Sequence, residues 1–214
     1  MNRHALRTAA RCVAPAIAAT LLVAWSSVAH ADNYGGRGCG AQSGPTRYCD
    51  TGPLPPGGGS LQANESAIVA GILSTGPAHS TCEGANGTSH STASVNAVVV
   101  TRLLVQILTC SALSSQSTAS CDGLTGSSTI SSLVFAGVAV TVTGQANQVV
   151  SVPGVGTLTI NEKIMTSTSI RVNALHLVLV TGEDLILGGC ESSYLCALGV
   201  EGDDSWSQVK ALYR

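Results

Sequence analysis

The first 31 residues limit what the remainder can become, because they read as an export signal rather than as part of a fold. Arg3, Arg7 and Arg11 give a basic start, an apolar stretch runs over residues 13–25, and Ala29-His30-Ala31 supplies the small-x-small pattern before a cut. The apolar run is shorter than the roughly 20 residues that span a bilayer, is interrupted by Pro15 and is closed by Ser26 and Ser27. Cleavage after Ala31 is therefore expected, and an anchored helix is not. No Arg-Arg pair precedes the apolar core, which points to the general secretory route.

Removing that segment changes the charge. Three of the 10 Lys and Arg residues leave and all 12 acidic residues stay, so the mature chain carries a net charge of −5. Nucleic acids and anionic membranes select clustered Lys and Arg, so neither is an expected partner. No second long apolar run follows, and no membrane insertion is expected after cleavage. The chain contains only 3% aromatic residues, which disfavours sugar-stacking and base-stacking surfaces. Val, Leu, Ile and Ala must build the core.

Export also sets the reading of the cysteines. Cys12 leaves with the signal, and Cys39, Cys49, Cys82, Cys110, Cys121, Cys190 and Cys196 remain. Disulfides are the default in an oxidising compartment. Spacing suggests three local bridges, Cys39–Cys49, Cys110–Cys121 and Cys190–Cys196, with Cys82 unpaired or replacing a member of one pair. No Cys-x-x-Cys occurs, and of the histidines only His79, His90 and His176 follow the cut. No metal site and no cofactor are expected. Glu201, Asp203 and Asp204 lack the spacing of a calcium loop and read as a solvated tail.

Along the mature chain, residues 32–60 are rich in Gly and Pro and are expected to form a loop-like leader knotted by Cys39 and Cys49. A β domain is expected over residues 61–200 and a polar acidic tail over 201–214. Within the domain, short apolar runs alternate with Gly, Ser, Thr and Asn clusters. Strands are expected at residues 67–73, 94–109 (one strand or a pair), 127–135, 137–143, 169–180 and 185–187. Residues 148–152 and 155–164, joined through Pro153-Gly154, read as a hairpin. Helical periodicity is absent. The expected fold is an all-β, disulfide-tied sandwich of short antiparallel strands; the alternative is a β-solenoid, disfavoured because no fixed repeat is visible.

Two polar residues interrupt apolar rows. Glu162 follows Leu158 and Ile160, and His176 follows Val172 and Ala174, each at strand period. If the strands are neighbours, the two side chains can form a charge-assisted hydrogen bond. Such a pair can fix strand register or move a proton. No serine stands in a Gly-x-Ser-x-Gly setting beside them.

Residues 147–163, Asn-Gln-Val-Val-Ser-Val-Pro-Gly-Val-Gly-Thr-Leu-Thr-Ile-Asn-Glu-Lys, together with residues 170–177, Ile-Arg-Val-Asn-Ala-Leu-His-Leu, resemble the bacterial choice-of-anchor P family. The likeness extends more loosely back to residue 66. It implies a secreted or surface β-rich domain of bacterial origin without assigned chemistry, and it implies no catalytic role for Glu162 or His176. Members are distinguished by C-terminal anchors. The end of this sequence offers no such pattern, so release into the periplasm or medium is expected. The functional expectation is an exported, non-enzymatic structural or interaction protein with an extracellular or cell-surface partner. The alternatives are a secreted hydrolase using Glu162 and His176, and a ligand-binding β domain.

Overall fold

In the computed structural model, residues 33–196 are described, and every ladder they form is antiparallel. The signal segment, its cut site at Ala29 and Ala31, and the 201–214 tail lie outside the described residues. Two sheets face each other. The first contains β1 (Asn33–Ser43), β2 (Thr46–Asp50), β12 (Gln148–Val152), β13 (Gly156–Met165), β14 (Ser169–Leu179) and β15 (Asp184–Leu195), in the order β12-β13-β14-β15-β1-β2. The second contains β3 (Gly59–Glu65), β4 (Val69–Ala70), β5 (Leu73–Ser74), β6 (Ala78–Ala85), β7 (Thr88–Arg102), β8 (Val105–Ser120), β9 (Gly123–Ser131), β10 (Val134–Phe135) and β11 (Val138–Ala139). The architecture is a β-sandwich.

The second sheet is simpler than its strand count suggests. β5 and β6 keep one register against β7, and β9 and β10 keep one register against β8. β4 against β5 likewise continues the register of β3 against β6. The short pieces are long strands interrupted at matching heights, and the sheet is a meander of hairpins.

Those interruptions lie on one line. In β7 the buried residues are Ser89, Ser91, Ala93 and Val95, then Val98 and Val100; in β8 they are Leu108 and Cys110, with Ile107 beside them near the turn, then Leu113, Ser115, Ser117 and Ala119. The inward parity switches at Ala97 (φ 49°), beside Ser111 and Ser132 (φ 55°). The first sheet has the same device. Asn161 (φ 51°), Gly188 (φ 59°) and Cys49 (φ 48°) take left-handed backbone in alternate strands. The ladders skip these residues together with Ala174 and Gly40 between them, without losing register. One residue of left-handed backbone turns the next side chain to the other face, so each sheet is creased across its width.

The crease divides the interior. On one side Leu158, Ile160, Leu175, Leu177, Leu185 and Leu187 pack against Leu73, Val100, Leu108 and Phe135. On the other side Ser, Cys, Gly and Ala line much of the sheet-to-sheet contact, with small apolar clusters around Ile170 and Val172 and around Tyr34, Leu54 and Tyr194. A Cβ on Gly36 would stand 2.7 Å from Cys82 Sγ, and one on Gly38 2.6 Å and 2.8 Å from the Thr92 and Thr81 carbonyl oxygens. Ser91 donates to the Glu191 carbonyl (2.7 Å), Ser192 to the Ser117 carbonyl (3.0 Å), and Ser89 to the Gly35 carbonyl (2.7 Å). Buried hydroxyls are thereby spent on tying one sheet to the other. The Ser80 and Ser115 hydroxyls meet no partner at hydrogen-bond geometry. Their influence on the Cys49 and Cys190 thiols is to lower the pKa, against a larger rise from burial.

Several expectations are corrected. The leader at 32–60 is not a loop knot: β1 pairs with both β15 and β2 inside the first sheet. At Gly38 two backbone carbonyls of the facing sheet occupy the space of a side chain, and at Gly36 the Cys82 and Ser91 side chains do. Residues 67–73 contain a turn between β4 and β5, whereas 94–109 does hold a pair of strands, one of the two arrangements expected there. β11 ends at Ala139, short of the strand expected to 143.

The three local disulfides are also absent. The bridge is Cys121–Cys196, with Cα atoms 5.6 Å apart, and Cys39, Cys49, Cys82, Cys110 and Cys190 are buried free thiols. Extended strands explain this. Cys110 and Cys121 are separated by the part of β8 that runs from Cys110 to its end, roughly 35 Å, and Cys190 and Cys196 by roughly 20 Å of β15, where a disulfide needs Cα atoms within about 7 Å. Cys39 and Cys49 are near neighbours but diverge. The Cys39 thiol stays on its own hairpin, on the Ala41 and Tyr48 carbonyls, while the left-handed turn at Cys49 sends its thiol inward to the Ala63 carbonyl.

Candidate functional site

Glu162 and His176 do meet, though not on the faces that strand alternation assigns them. The rows Leu158-Ile160-Glu162 and Val172-Ala174-His176 both cross the crease. Leu158, Ile160, Val172 and Ala174 point inward, whereas Glu162 and His176 are half-buried on the outer face. The crease also places Asn173 beside His176, although residues three apart in an uninterrupted strand face opposite ways. Without the parity switch this cluster could not assemble.

His176 Nδ1 lies 3.0 Å from both Glu162 carboxylate oxygens, and Nε2 lies 2.9 Å from Asp184 Oδ1. Asn173 Nδ2 donates to Glu162 Oε2 at 2.6 Å. The chain thus links three adjacent strands, β13, β14 and the start of β15. A neutral imidazole has one N–H and would turn a lone pair towards one carboxylate. The imidazolium donates from both nitrogens and satisfies both. Burial opposes the charged ring, but Glu162 and then Asp184 outweigh it, and the His176 pKa is raised above 6.5.

Nearby, Asn161 anchors the crease itself. It is buried, its amide donates to the Gly144 and Gln145 carbonyls at 3.2 Å, and its oxygen accepts from Ser128 at 3.1 Å. Adjoining the cluster on the same face, a small groove of about 80 Å³ is lined by Arg37, Arg47, Arg171, Cys39, Asn173 and Glu191, among others. Arg37 pairs with both oxygens of Asp50, and this guanidinium holds the Asp50 carboxyl below its ordinary range. Arg171 pairs with Glu191 at 2.7 Å. Burial pushes the Cys39 thiol up to about 11, so it is no nucleophile at neutral pH.

Among the described residues, no group of three or more His, Cys, Asp or Glu is arranged to hold a metal. Glu162 and Asp184 sit on opposite nitrogens of one ring and do not converge on a common point. Asp184 and Asn173 are site members that strand alternation did not single out. Asn173 belongs to the Val-Asn-Ala-Leu-His stretch, which was the available signal; Asp184 gave only a turn signal. No family model, curated protein or solved structure matches this chain.

Proposed function

We propose that the chain is an exported, non-enzymatic module that acts by presenting its surfaces to an extracellular or cell-surface partner. The observation that carries this reading is the saturation of His176. Both ring nitrogens are engaged by carboxylates, so neither is free to take a proton from a substrate. The cluster reads as a clamp between β13, β14 and β15. The hydrolase alternative needs a ring nitrogen open to a nucleophile, and this geometry closes both.

Export is supported by the basic-apolar-small pattern of residues 1–31, and the Cys121–Cys196 bridge is consistent with an oxidising compartment. Membership of the choice-of-anchor P family belongs to the same proposal. The residues that carry that resemblance, Asn161, Glu162, Asn173 and His176, are those of the crease and clamp. In this reading the motif is a framework signature. The groove beside Arg37, Arg47 and Arg171 supplies a polar surface for a partner; Arg37 and Arg171 are already paired with Asp50 and Glu191, which leaves Arg47 to meet a partner's acidic group.

His176→Gln and Glu162→Gln test the proposal. Both are expected to lower the melting temperature while the wild-type protein hydrolyses no model ester, peptide or glycoside. An unchanged melting temperature with loss of a measurable hydrolysis would overturn it.

A further inference from the structure

The β7–β8 hairpin turns through Leu103 and Leu104, both in left-handed backbone (φ 49° and 64°). Two-residue turns of this type are ordinarily made by Asn-Gly, because a Cβ strains the left-handed region. This chain uses that solution one hairpin earlier, at Asn86-Gly87 (φ 51° and 73°). At the β7–β8 tip it places two leucines instead, 87% and 98% exposed, followed by Val105 at 62%. Backbone strain and apolar exposure both oppose folding here, so stability does not account for the pair.

The neighbouring tips share this character. The Thr101 amide donates to the Ile72 carbonyl and the Ala136 amide to the Ile107 carbonyl, which brings the β4–β5 and β10–β11 turns to the same end. Those hairpins contribute Val69 (79% exposed) and Val138 (67%). From the other sheet comes the β14–β15 turn with Val180 at 61% exposure; there the Thr181 hydroxyl, and more weakly the charge of Arg102, hold the Glu183 carboxyl below its ordinary range. Asn33, Leu195 and the Cys121–Cys196 bridge lie at the opposite end, the 15-residue length of β7 away, roughly 50 Å. The chain therefore enters and leaves the described fold far from the apolar end.

We propose that this end of the sandwich is a lipid-docking tip that seats Leu103, Leu104 and Val105 in the interfacial layer of an uncharged, zwitterionic bilayer. A second copy is the poorer occupant. The tip offers on the order of a few hundred Å² of apolar surface, against about 800 Å² per partner in a stable protein interface. It is also a projecting hairpin rather than a groove. Charge selects the lipid. The hairpin itself, residues 99–110, holds one charged side chain, Arg102, and no carboxylate, while Glu183 of the neighbouring β14–β15 turn adds a negative charge at this end that opposes an anionic headgroup layer. The net charge of −5 on the mature chain opposes anionic membranes. Arg102 flanks the turn, directly before Leu103 and paired with Val105, where its guanidinium can meet lipid phosphate. Among the described residues no helix is long and apolar enough to cross a membrane; the tip needs only a shallow wedge, as interfacial segments do.

Flotation of the full mature chain with phosphatidylcholine–phosphatidylethanolamine vesicles tests the proposal. The double variant Leu103→Asn, Leu104→Gly installs the turn that the chain already uses at 86–87. It is expected to reduce vesicle binding at least tenfold while the melting temperature holds or rises. Met165→Gln, an exposed apolar residue near the other end, is expected to leave binding unchanged. Absence of wild-type flotation, or equal binding by the Asn-Gly variant, would overturn the proposal. So would a dimer in solution that the Asn-Gly variant abolishes, since that assigns the tip to a second copy.

Discussion

The disulfide offers the sharpest quantitative test, because its position separates the folded arrangement from the one that spacing suggests. Cys121 sits at the β8–β9 turn of one sheet and Cys196 just beyond β15 of the other. The bridge staples the two sheets at the end where Tyr34, Leu54, Ala119 and Tyr194 form a small cluster. It spans 75 residues of sequence. In the chain-entropy model a loop of that size is worth about 4.5 kcal/mol, whereas a local loop of ten residues is worth roughly 2.7 kcal/mol. The double variant Cys121→Ser, Cys196→Ser removes the bridge without leaving a lone thiol. Urea denaturation should show a loss approaching 4.5 kcal/mol, an upper figure because residual structure in the unfolded chain reduces it. At roughly 2–4 °C per kcal/mol for a domain of this size, the melting temperature should fall by about 9–18 °C. Peptide mapping without reductant should recover a single linkage, Cys121 to Cys196, and five thiols that label only after denaturation. A loss below about 1 kcal/mol, or recovery of a Cys190–Cys196 peptide, would refute the reasoning.

Other perturbations probe the interior and the clamp. Gly38→Ala brings a methyl to within 2.6 Å and 2.8 Å of two facing carbonyl oxygens and should cost about 2–3 kcal/mol in chemical denaturation, since backbone cannot step aside as a flexible side chain can; an effect under 0.5 kcal/mol would show that the sheets are not this close. The His176 pKa is raised in the fold, so the clamp's contribution is fully present below about 6.5 and is lost as pH rises through the higher folded value. Melting temperature across pH 5.5–9 should decline for the wild type and flatten for His176→Gln; parallel profiles would remove His176 as the titrating group. Asp50 behaves oppositely: its pKa lies below 3.8 because of Arg37, so its contribution is lost as pH falls through that lower value. Arg37→Gln should make the protein unfold at a higher pH on acidification.

Much of the strand content was legible because alternation and turn chemistry are local. The β12–β13 hairpin followed from Pro153-Gly154 between alternating runs, and β14 from a continuous apolar stretch. The pairing of Glu162 with His176 was legible too, since two polar residues in apolar rows needed partners. Its surroundings were not. Period-2 reasoning assumes one unbroken pleat, and a single left-handed residue at Asn161 or Gly188 reverses every side chain beyond it. Nothing local marks Ala97, Cys49 or Ser132 for that role, because their conformation is imposed by neighbours across the sheet.

The amino-acid sequence by itself determined the all-β class and the small-residue composition, since both rest on short-range propensity. Tertiary structure decided how the glycines and cysteines are used. β1 is a strand because β15 and β2 pair with it on both edges, with glycine at 36 and 38 where the opposing sheet leaves no room for a side chain, and Cys121 finds Cys196 because extended strands carry sequence neighbours apart and bring distant turns together. Such proximities are made by the packing of whole sheets, over distances that spacing along the chain cannot measure.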